Sequence, residues 1–316
     1  MNGKLETTMK RFFIVNPVSG SRKGKLLWNK IENYLSENNI DCEIFITKNK
    51  YDATKYAYDI TSVNRTEQIV LIVFGGDGTL NEVINGICNF DNLLFGYIPS
   101  GSGNDFARGM KIKFNPDSSM DTIINPILFK DIDYGVINFN DTSRRYLVSS
   151  GIGYDALVCE KVNTSKIKLS LNKIKLGQLT YLIIGIIQML LYRPVSADIT
   201  LSSGQKLHLD KLLFVSSHIL PYEGGGFKFC PDANGSDGFI DICMAGNLSK
   251  LKMLFLTPLA KFGKHVNFKG VNLYRCEMAK ISCHRKLPVH TDGETYKHTN
   301  DVTFACGENK IKFIVY

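Results

Sequence analysis

The first third of the chain alternates apolar runs with helix-like stretches, and this alternation limits the fold more than any other feature. The apolar runs read as strands, because they are short and continuous: RFFIVNP, DCEIFIT, QIVLIVF and LLFGYIP. Amphipathic stretches lie between them and predict helices: KGKLLWNKIENYLSEN, ATKYAYDIT and TLNEVINGI. Strands of this kind are buried on both faces of a sheet. The pattern therefore predicts β-α units around a parallel sheet.

The period of the apolar pattern changes near Asp133. Stretches such as SADITLSSGQKLHLDKLLFVSS and DVTFACGENKIKFIVY alternate apolar and polar residues around glycine-containing turns. Half-buried antiparallel strands have this pattern. We therefore expect an α/β domain over residues 1–132 and a mostly-β domain over 133–305. Because Met9 directly precedes the first strand, residues 1–8 are interpreted as a dispensable tail or an upstream start.

One apolar segment, from Leu176 to Tyr192, contains no charged residue and predicts a helix inserted in the β domain. It lies at the lower limit of length for a membrane span. Internal Gly and Gln residues, with Lys173, Lys175 and Arg193 on its flanks, favour a buried or membrane-touching helix.

Composition narrows the class of protein. The 316 residues carry a formal net charge of +8, which suits anionic partners, but Lys and Arg are too scattered to indicate nucleic acid binding. The eight cysteines form no Cys-x-x-Cys pair, and no secretory segment precedes the first strand. We therefore expect a reduced, cytoplasmic protein.

Three strands of the first domain end in turns rich in Gly, Ser, Asn or Asp: NPVSGSRKGK, GGDGTLNE and PSGSGNDFAR. In an open parallel sheet such turns gather at the carboxyl ends of the strands, where backbone N–H groups can face a phosphate. None of them has the spacing of a Walker A or dinucleotide-binding motif. Each one alone could be an ordinary strand-to-helix turn, whereas three at one edge favour a phosphate site.

The residues resemble the diacylglycerol kinase catalytic domain family, in particular its bacterial soluble lipid kinases, with sphingosine and ceramide kinases as more distant relatives. Eight motifs in order carry the resemblance: NPVSG, GGDGTLNEV, PSGSGNDFAR, IDYGVIN, GIGYDALV, LGQLTYL, PDANGSDGFIDI and TDGE. It implies an α/β domain like that of NAD kinases and phosphofructokinases, followed by a β-sandwich domain. It also implies that the C-terminal segment, about residues 306–316, returns to the first domain.

The same resemblance implies ATP- and Mg²⁺-dependent phosphorylation of a lipid hydroxyl. Glu294 is the expected general base, and Asp77 and Asp105 the other catalytic residues, with plain alternatives of a solvated hairpin residue for Glu294 and a helix-capping residue for Asp77. The residues assigned to ATP and its phosphates are Asn16, Pro17, Val18, Ser19, Gly20, Thr47, Gly75, Gly76, Asp77, Gly78, Thr79, Asn81, Glu82, Ser102 and Asn104.

A second metal site is implied by NGSDGF, which resembles the family's structural Mg²⁺ loop. Its ligands would be the Asp237 side chain and the carbonyls of Asn234 and Phe239, with Asp133 joining through water. An Asp-Gly turn without metal is the alternative. Asp155 is assigned to the lipid headgroup, with a structural role as its alternative. The histidines lack metal-ligand spacing, so His284, His290 and His298 are interpreted as surface or structural residues.

The acceptor expected first is diacylglycerol, which would give phosphatidic acid, and phosphatidylglycerol or a sphingoid base are alternatives. The enzyme would reach its membrane lipid by peripheral contact, although no cluster of basic residues identifies the docking face. The sequence leaves open a homodimer. A nucleotide-binding regulatory protein with weak catalysis is the alternative from another class, and the retention of Asp77, Asn104, Asp105 and Glu294 argues against it. NAD kinase shares the GGDGT turn, but the SGSGNDFAR and PDANGSDG features favour a lipid kinase.

Overall fold

The computed structural model describes residues 9–20, 22–63, 67–164 and 177–316. Residues 1–8, for which the sequence suggests a dispensable tail or an upstream start, lie outside the described residues, as does Leu176. The chain divides into two compact units. Of the described residues, those within 1–107, 111–132 and 309–316 form the first unit, and those within 108–110 and 133–308 form the second.

The first unit alternates strands and helices along most of its length. Its strands are β1 (Met9–Val15), β2 (Glu43–Ile46), β3 (Gln68–Gly75), β4 (Leu93–Pro99), β5 (Phe129–Ile132) and the last strand of the chain, β15 (Ile311–Ile314). Its helices are α1 (Arg22–Glu37), α2 (Asp52–Thr61), α3 (Asp77–Gly86), α4 (Asp105–Gly109, which ends in the second unit) and α5 (Pro116–Ile124).

These strands form one sheet in the order β2, β1, β3, β4, β15, β5. All neighbours are parallel except β15 and β5, which are antiparallel. Strand β3 is buried apart from its first residue, and β1 is buried over its last four residues. Side chains such as Phe13 and Ile72 pack with Trp28 and Ile31 of α1. The predicted parallel sheet is confirmed, and β15 brings the C-terminal segment into it.

The second unit is built mainly of strands. They are β6 (Gly135–Phe139), β7 (Thr142–Tyr146), β8 (Ser149–Gly153), β9 (Val195–Leu201), β10 (Lys206–His218), β11 (Ile240–Gly246), β12 (Val271–Cys276), β13 (Met278–Thr291) and β14 (Glu294–Cys306). The described helices are α6 (Tyr154–Thr164), α7 (Gly177–Leu191), α8 (Lys250–Ala260) and a 3₁₀ turn (Lys264–Asn267).

The strands of the second unit pair in the order β12, β11, β10, β8, β13, β14, β6, β7, and β9 pairs with both β10 and β13. Every pair is antiparallel. The long strands β10 and β13 each contain register shifts, so that one end pairs with β8 and the other with β9. The change from a parallel to an antiparallel architecture confirms the predicted α/β plus mostly-β fold class.

The described part of the apolar segment forms α7. Ile184 and Met189 are buried, whereas Ile187 and Leu190 are exposed, so the helix has one face in the core and one in solvent. Among the helices of the described ranges, none is both long and apolar enough to cross a membrane.

Candidate functional site

The three glycine-rich turns meet at one edge of the parallel sheet. Strands β1, β3 and β4 are neighbours, so the turns that follow them are neighbours too. The Asn16 side-chain amide donates to Thr79 Oγ1 at 3.0 Å, and the Ser19 and Ser100 hydroxyls hydrogen-bond to each other. These bonds tie the first turn to the second and to the third.

The second and third turns approach each other through their backbones. A Cβ atom added to Gly76 would lie 3.2 Å from the Gly101 Cα, and one added to Gly101 would lie 2.6 Å from the Gly76 Cα. Any side chain at Gly101 would therefore push the turns apart. The glycines permit this close approach beside the start of α3, and the N–H groups at the start of a helix are a common binding site for phosphate.

Asp77 begins α3 and links it to the third turn. Its carboxylate accepts hydrogen bonds from the backbone N–H groups of Asp105, at 3.1 Å, and Phe106, at 3.2 Å. Gly76, which has no side chain, is the residue at the N-cap position of α3. With its two bonds to Asp105 and Phe106, the Asp77 carboxylate caps α4.

Asn104 supplies an unused oxygen beside this carboxylate. It has a left-handed backbone, with φ of 49°, and its amide donates to the Gly101 carbonyl at 2.9 Å. Its Oδ1 atom is buried and has no hydrogen-bond partner in the described part of the chain. A buried oxygen of this kind costs free energy unless a ligand satisfies it. With the Asp77 and Asp105 carboxylates nearby, the donor set fits a Mg²⁺-bound phosphate.

The other residues assigned to ATP fall into two groups. Pro17, Val18, Gly20 and Ser102 lie in the first and third turns, with Val18 and Ser102 exposed, and Thr47 donates its hydroxyl to the Val15 carbonyl at the same sheet edge. Asn81 and Glu82 lie further along α3. Asn81 is buried, and the Glu82 carbonyl accepts the Thr54 hydroxyl from α2.

The Asp-Gly-Glu motif is a two-residue hairpin turn between β13 and β14. Asp292 and Gly293 have φ of 47° and 85°, and Thr291 pairs with Glu294 across the turn. Positive φ at both central positions favours Asp-Gly, and it places the partly exposed Glu294 at the first position of β14. The local geometry of Glu294 is thus fixed by a well-defined hairpin.

Asp292 anchors that hairpin. Its carboxylate accepts the backbone N–H groups of Leu147, Val148 and Ser149 at 2.9–3.1 Å, and its own N–H donates to the Ser149 carbonyl. Three charge-assisted bonds to one short segment hold the tip of the hairpin beside the start of β8.

Asp155 lies in the first turn of α6 within a buried charged cluster. His290 Nε2 lies 3.3 Å from Asp155 Oδ2 and 3.6 Å from Glu223 Oε1, and all three side chains are at least nine-tenths buried. The approach depends on Gly151, since a Cβ there would lie 1.8 Å from Asp155 Oδ2. Asp155 Oδ1 has no hydrogen-bond partner among the described residues.

The charge state of the cluster follows from its neighbours. Burial lowers the pKa of His290, but the Glu223 and Asp155 carboxylates outweigh burial and raise that pKa to about 9. Burial lowers the pKa of the adjacent His218 to about 3. The three ligating atoms lie within 4.8 Å of one another, a spacing that would admit a metal ion. A His290 side chain with that pKa carries a positive charge at neutral pH, between the two carboxylates.

An apolar cavity of about 130 Å³ adjoins this cluster. Asp155 and Glu223 contribute to its wall, together with Tyr154 and His265, while the rest of the lining is dominated by apolar side chains of α7, α8 and neighbouring strands, among them Met189, Phe214, Met253 and Leu256. A cavity with one polar end and apolar walls suits an amphipathic molecule.

The loop NGSDGF, for which the sequence suggests a second metal site, is stabilised by hydrogen bonds and ion pairs within the protein. Asp237 Oδ1 accepts the Phe239 N–H at 3.1 Å, and Oδ2 lies 3.4 Å from the Arg275 guanidinium, which also pairs with Asp241. Asp133 is buried and accepts the Gly238 N–H at 2.8 Å. The oxygen donors fit Mg²⁺ in type, but Arg275 already balances the charge of Asp237, so the loop has a stabilising cation with or without a metal.

Several residues of these sites were not identified from the sequence. The sequence indicates no functional role for Ser100, Glu223, His290 or Asp292. His290 is interpreted from it as a surface or structural residue, and its side chain is fully buried. Each acts on residues far away in the chain, so no local pattern could have indicated the contact.

Comparisons with known proteins agree with the geometry. Residues 10–136 match the diacylglycerol kinase catalytic domain family, and residues 147–310 match the YegS C-terminal NAD kinase beta sandwich-like domain. The chain is 31% identical to "Putative lipid kinase YtlR" of Bacillus subtilis (strain 168), over 90% of this chain and 92% of that protein. It is 28% identical to a diacylglycerol kinase of the same strain, over 90% of each.

A solved structure of a diacylglycerol kinase from Bacillus anthracis str. Sterne has a TM-score of 0.68 with this chain, at 22% identity and over 97% of both chains. At that identity the likeness concerns the fold. It agrees with the α/β plus β-sandwich class expected from the sequence.

Removal of the Asp292 carboxylate tests the anchoring of the hairpin. We expect Asp292→Ala to lower the free energy of unfolding by about 3 kcal/mol, because three backbone donors lose a charged acceptor. Urea denaturation followed by circular dichroism measures the change. Asp141→Ala is the matched control, since Asp141 also has a left-handed backbone in a hairpin turn, with φ of 59°. Equal losses in the two variants would show that backbone conformation, and not capping, explains the effect.

The His290 ion pair predicts a pH dependence. A histidine whose folded pKa is raised from 6.5 to about 9 stabilises the protein fully below pH 6.5, and this contribution is lost as the pH rises through 9. The stability difference between wild type and His290→Gln should therefore shrink from pH 6.5 to 9, as measured by denaturation at each pH. His284→Gln, an exposed histidine on the same strand, is the control. A constant wild-type advantage over that range would contradict the ion pair.

Proposed function

Because the chain belongs to the diacylglycerol kinase-like family of lipid kinases, we propose that it transfers the γ-phosphoryl group of ATP to the hydroxyl of diacylglycerol, giving phosphatidic acid. The observation that carries the proposal is the meeting of three glycine-rich turns around Asp77 and Asn104 in the first unit. The apolar cavity with a charged end, in the second unit, supports a lipid acceptor.

The first unit would bind the nucleotide. Backbone N–H groups of the turn before α3 would face the phosphates, and the Asn16 and Ser19 side chains, already fixed by Thr79 and Ser100, would line the same edge. In phosphoryl transfer the protein mainly positions the reactants and neutralises developing charge. A preformed cradle of fixed donors suits that task.

The metal of the reaction would be held by oxygen atoms at this edge. Asn104 Oδ1 and the Asp77 and Asp105 carboxylates are the residues that would hold Mg²⁺. When bound, Mg²⁺ neutralises phosphate charge. Asp77 also holds the backbone at the start of α4, so the loss of its charge would disturb both the metal and the third turn.

The second unit would bind the lipid. The apolar walls of the cavity suit acyl chains, and Asp155 at its polar end suits the glycerol headgroup. Glu294 is the proposed general base: it takes the hydroxyl proton as the acceptor oxygen bonds to the γ-phosphorus and the bond from phosphorus to the ADP oxygen breaks. Diacylglycerol is proposed first because several relatives are named diacylglycerol kinase.

A lipid kinase assay tests the reaction and the roles. Wild type with labelled ATP and Mg²⁺ is expected to label phosphatidic acid from dioleoylglycerol micelles, with parallel arms that contain phosphatidylglycerol or sphingosine. Glu294→Gln should lower kcat by about 10²–10⁴-fold, since a general base contributes that much. Asp77→Asn should lower kcat and raise the KM for ATP, because it weakens the metal site.

Exposed carboxylates serve as controls for these variants: Asp59→Asn on α2 and Glu308→Gln after β14 should keep wild-type turnover. Label in another lipid would replace diacylglycerol as acceptor, and no label in any lipid would refute the proposed reaction. Unchanged turnover in Glu294→Gln would show that Glu294 is not the general base.

Chelation of Mg²⁺ should abolish labelling, and persistent labelling would contradict the metal requirement.

A further inference from the structure

Two helices of the second unit present apolar side chains to solvent on adjacent faces. On α7 these are Ile183, Ile187, Leu190 and Leu191, and on and just after α8 they are Leu251, Leu254, Phe255 and Phe262. We call these eight residues the α7–α8 patch. Leu251 is 82% exposed and Phe262 is 72% exposed. A group of large apolar side chains with this exposure marks an interaction surface.

The two helices form one surface because they pack together. The two helices are in contact with each other. Lys250 at the start of α8 donates to the Leu190 carbonyl at the end of α7. A lysine at a helix C-terminus is favourable because it meets the last carbonyl groups. The bond therefore holds the exposed ends of the two helices together.

The two chain segments that carry the patch contain no acidic residue. Residues 177–197, which include α7, and residues 243–276, which include α8, have no Asp or Glu. The second segment contains six Lys or Arg residues. Lys261 and Lys264 are exposed beside Phe262, and Lys252 lies between Leu251 and the buried Met253. An apolar face with a basic rim is complementary to an anionic lipid surface.

The inner faces of the same helices line the apolar cavity. Gly185 and Met189 of α7, and Met253, Leu256 and Ala260 of α8, contribute to the cavity wall. The patch and the cavity are thus opposite sides of one pair of helices. A helix is about 10 Å thick, so only a short distance separates a bilayer at the patch from the cavity.

We propose that the α7–α8 patch docks the protein on an anionic lipid bilayer, with the exposed Leu and Phe side chains entering the headgroup region and the lysines facing anionic headgroups. The link to the cavity as a lipid site rests on the proposed function, whereas the docking itself does not. The sequence alone did not indicate this docking surface, because the two segments without acidic residues that carry α7 and α8 come together only in the folded protein.

The charge also distinguishes a bilayer from a second copy of the chain. A two-fold symmetric contact through the patch would bring together two surfaces with the same basic rim, and this like charge is unfavourable. A bilayer that contains anionic lipid has the opposite charge and an apolar interior. The bilayer therefore satisfies both features of the patch.

Vesicle sedimentation tests docking without catalysis. The vesicles contain roughly two parts of phosphatidylcholine to one part of phosphatidylserine, so that their surface is anionic. The assay contains no diacylglycerol and no ATP. Wild type should bind them, and bind pure phosphatidylcholine vesicles weakly. Leu251→Ser with Phe255→Ser, and separately Lys252→Glu with Lys264→Glu, should each weaken binding by about tenfold or more.

The matched control is Ile127→Ser with Leu128→Ser, two exposed apolar residues of the first unit outside the patch. This variant should bind as wild type does. Equal binding of the patch variants and wild type would overturn the proposal, as would wild type that binds neither kind of vesicle. A wild-type dimer that the patch variants convert to monomer, in analytical ultracentrifugation, would assign the patch to a second copy instead.

A second readout separates docking from the proposed reaction. The patch variants should lose activity on diacylglycerol in anionic vesicles but keep it on short-chain diacylglycerol dispersed in detergent, because the catalytic residues are unchanged. If wild type phosphorylates no lipid in either format, the proposed function fails while sedimentation still decides docking. Equal loss in both formats would show that the variants damage the enzyme itself and would contradict a docking role.

Discussion

The parallel pairing of β1, β3 and β4 is the constraint on which the proposed nucleotide site depends. Parallel neighbours end at the same sheet edge, and the turns that follow them can then share hydrogen bonds. The close approach of Gly76 and Gly101 completes the cradle, and Asp77 fixes the third turn by holding the backbone N–H groups at the start of α4. Without this pairing the same turn residues would have no common ligand.

The second unit contains a feature that stability alone does not explain. Buried charges cost desolvation free energy, and well-packed apolar residues in place of an ion pair are often neutral or stabilising. The cluster of Asp155, Glu223 and His290 nonetheless lies beside an apolar cavity. In the proposed function this cluster is the polar end of the lipid site, where the acceptor headgroup would use the hydrogen-bonding capacity of Asp155.

The sequence predicted well what depends on local pattern. Periodicity predicted the strands and helices of the first unit, and the order of motifs indicated the family before the comparisons confirmed it. The contacts of His290, Glu223 and Asp292 could not be predicted, because each joins segments far apart in the chain. The α7–α8 patch could not be predicted for the same reason. The sequence has no run of lysines, and the two segments without acidic residues meet only in the folded protein.

Hydrogen exchange of the wild-type protein with and without Mg·ATP tests the central claim most directly, that the three turns at this edge form one phosphate site. We predict slower amide exchange in peptides that cover residues 16–20, 75–79 and 99–105 together, because their backbone N–H groups would contact or surround the phosphates. Protection confined to one turn, or found only elsewhere in the chain, would contradict the account.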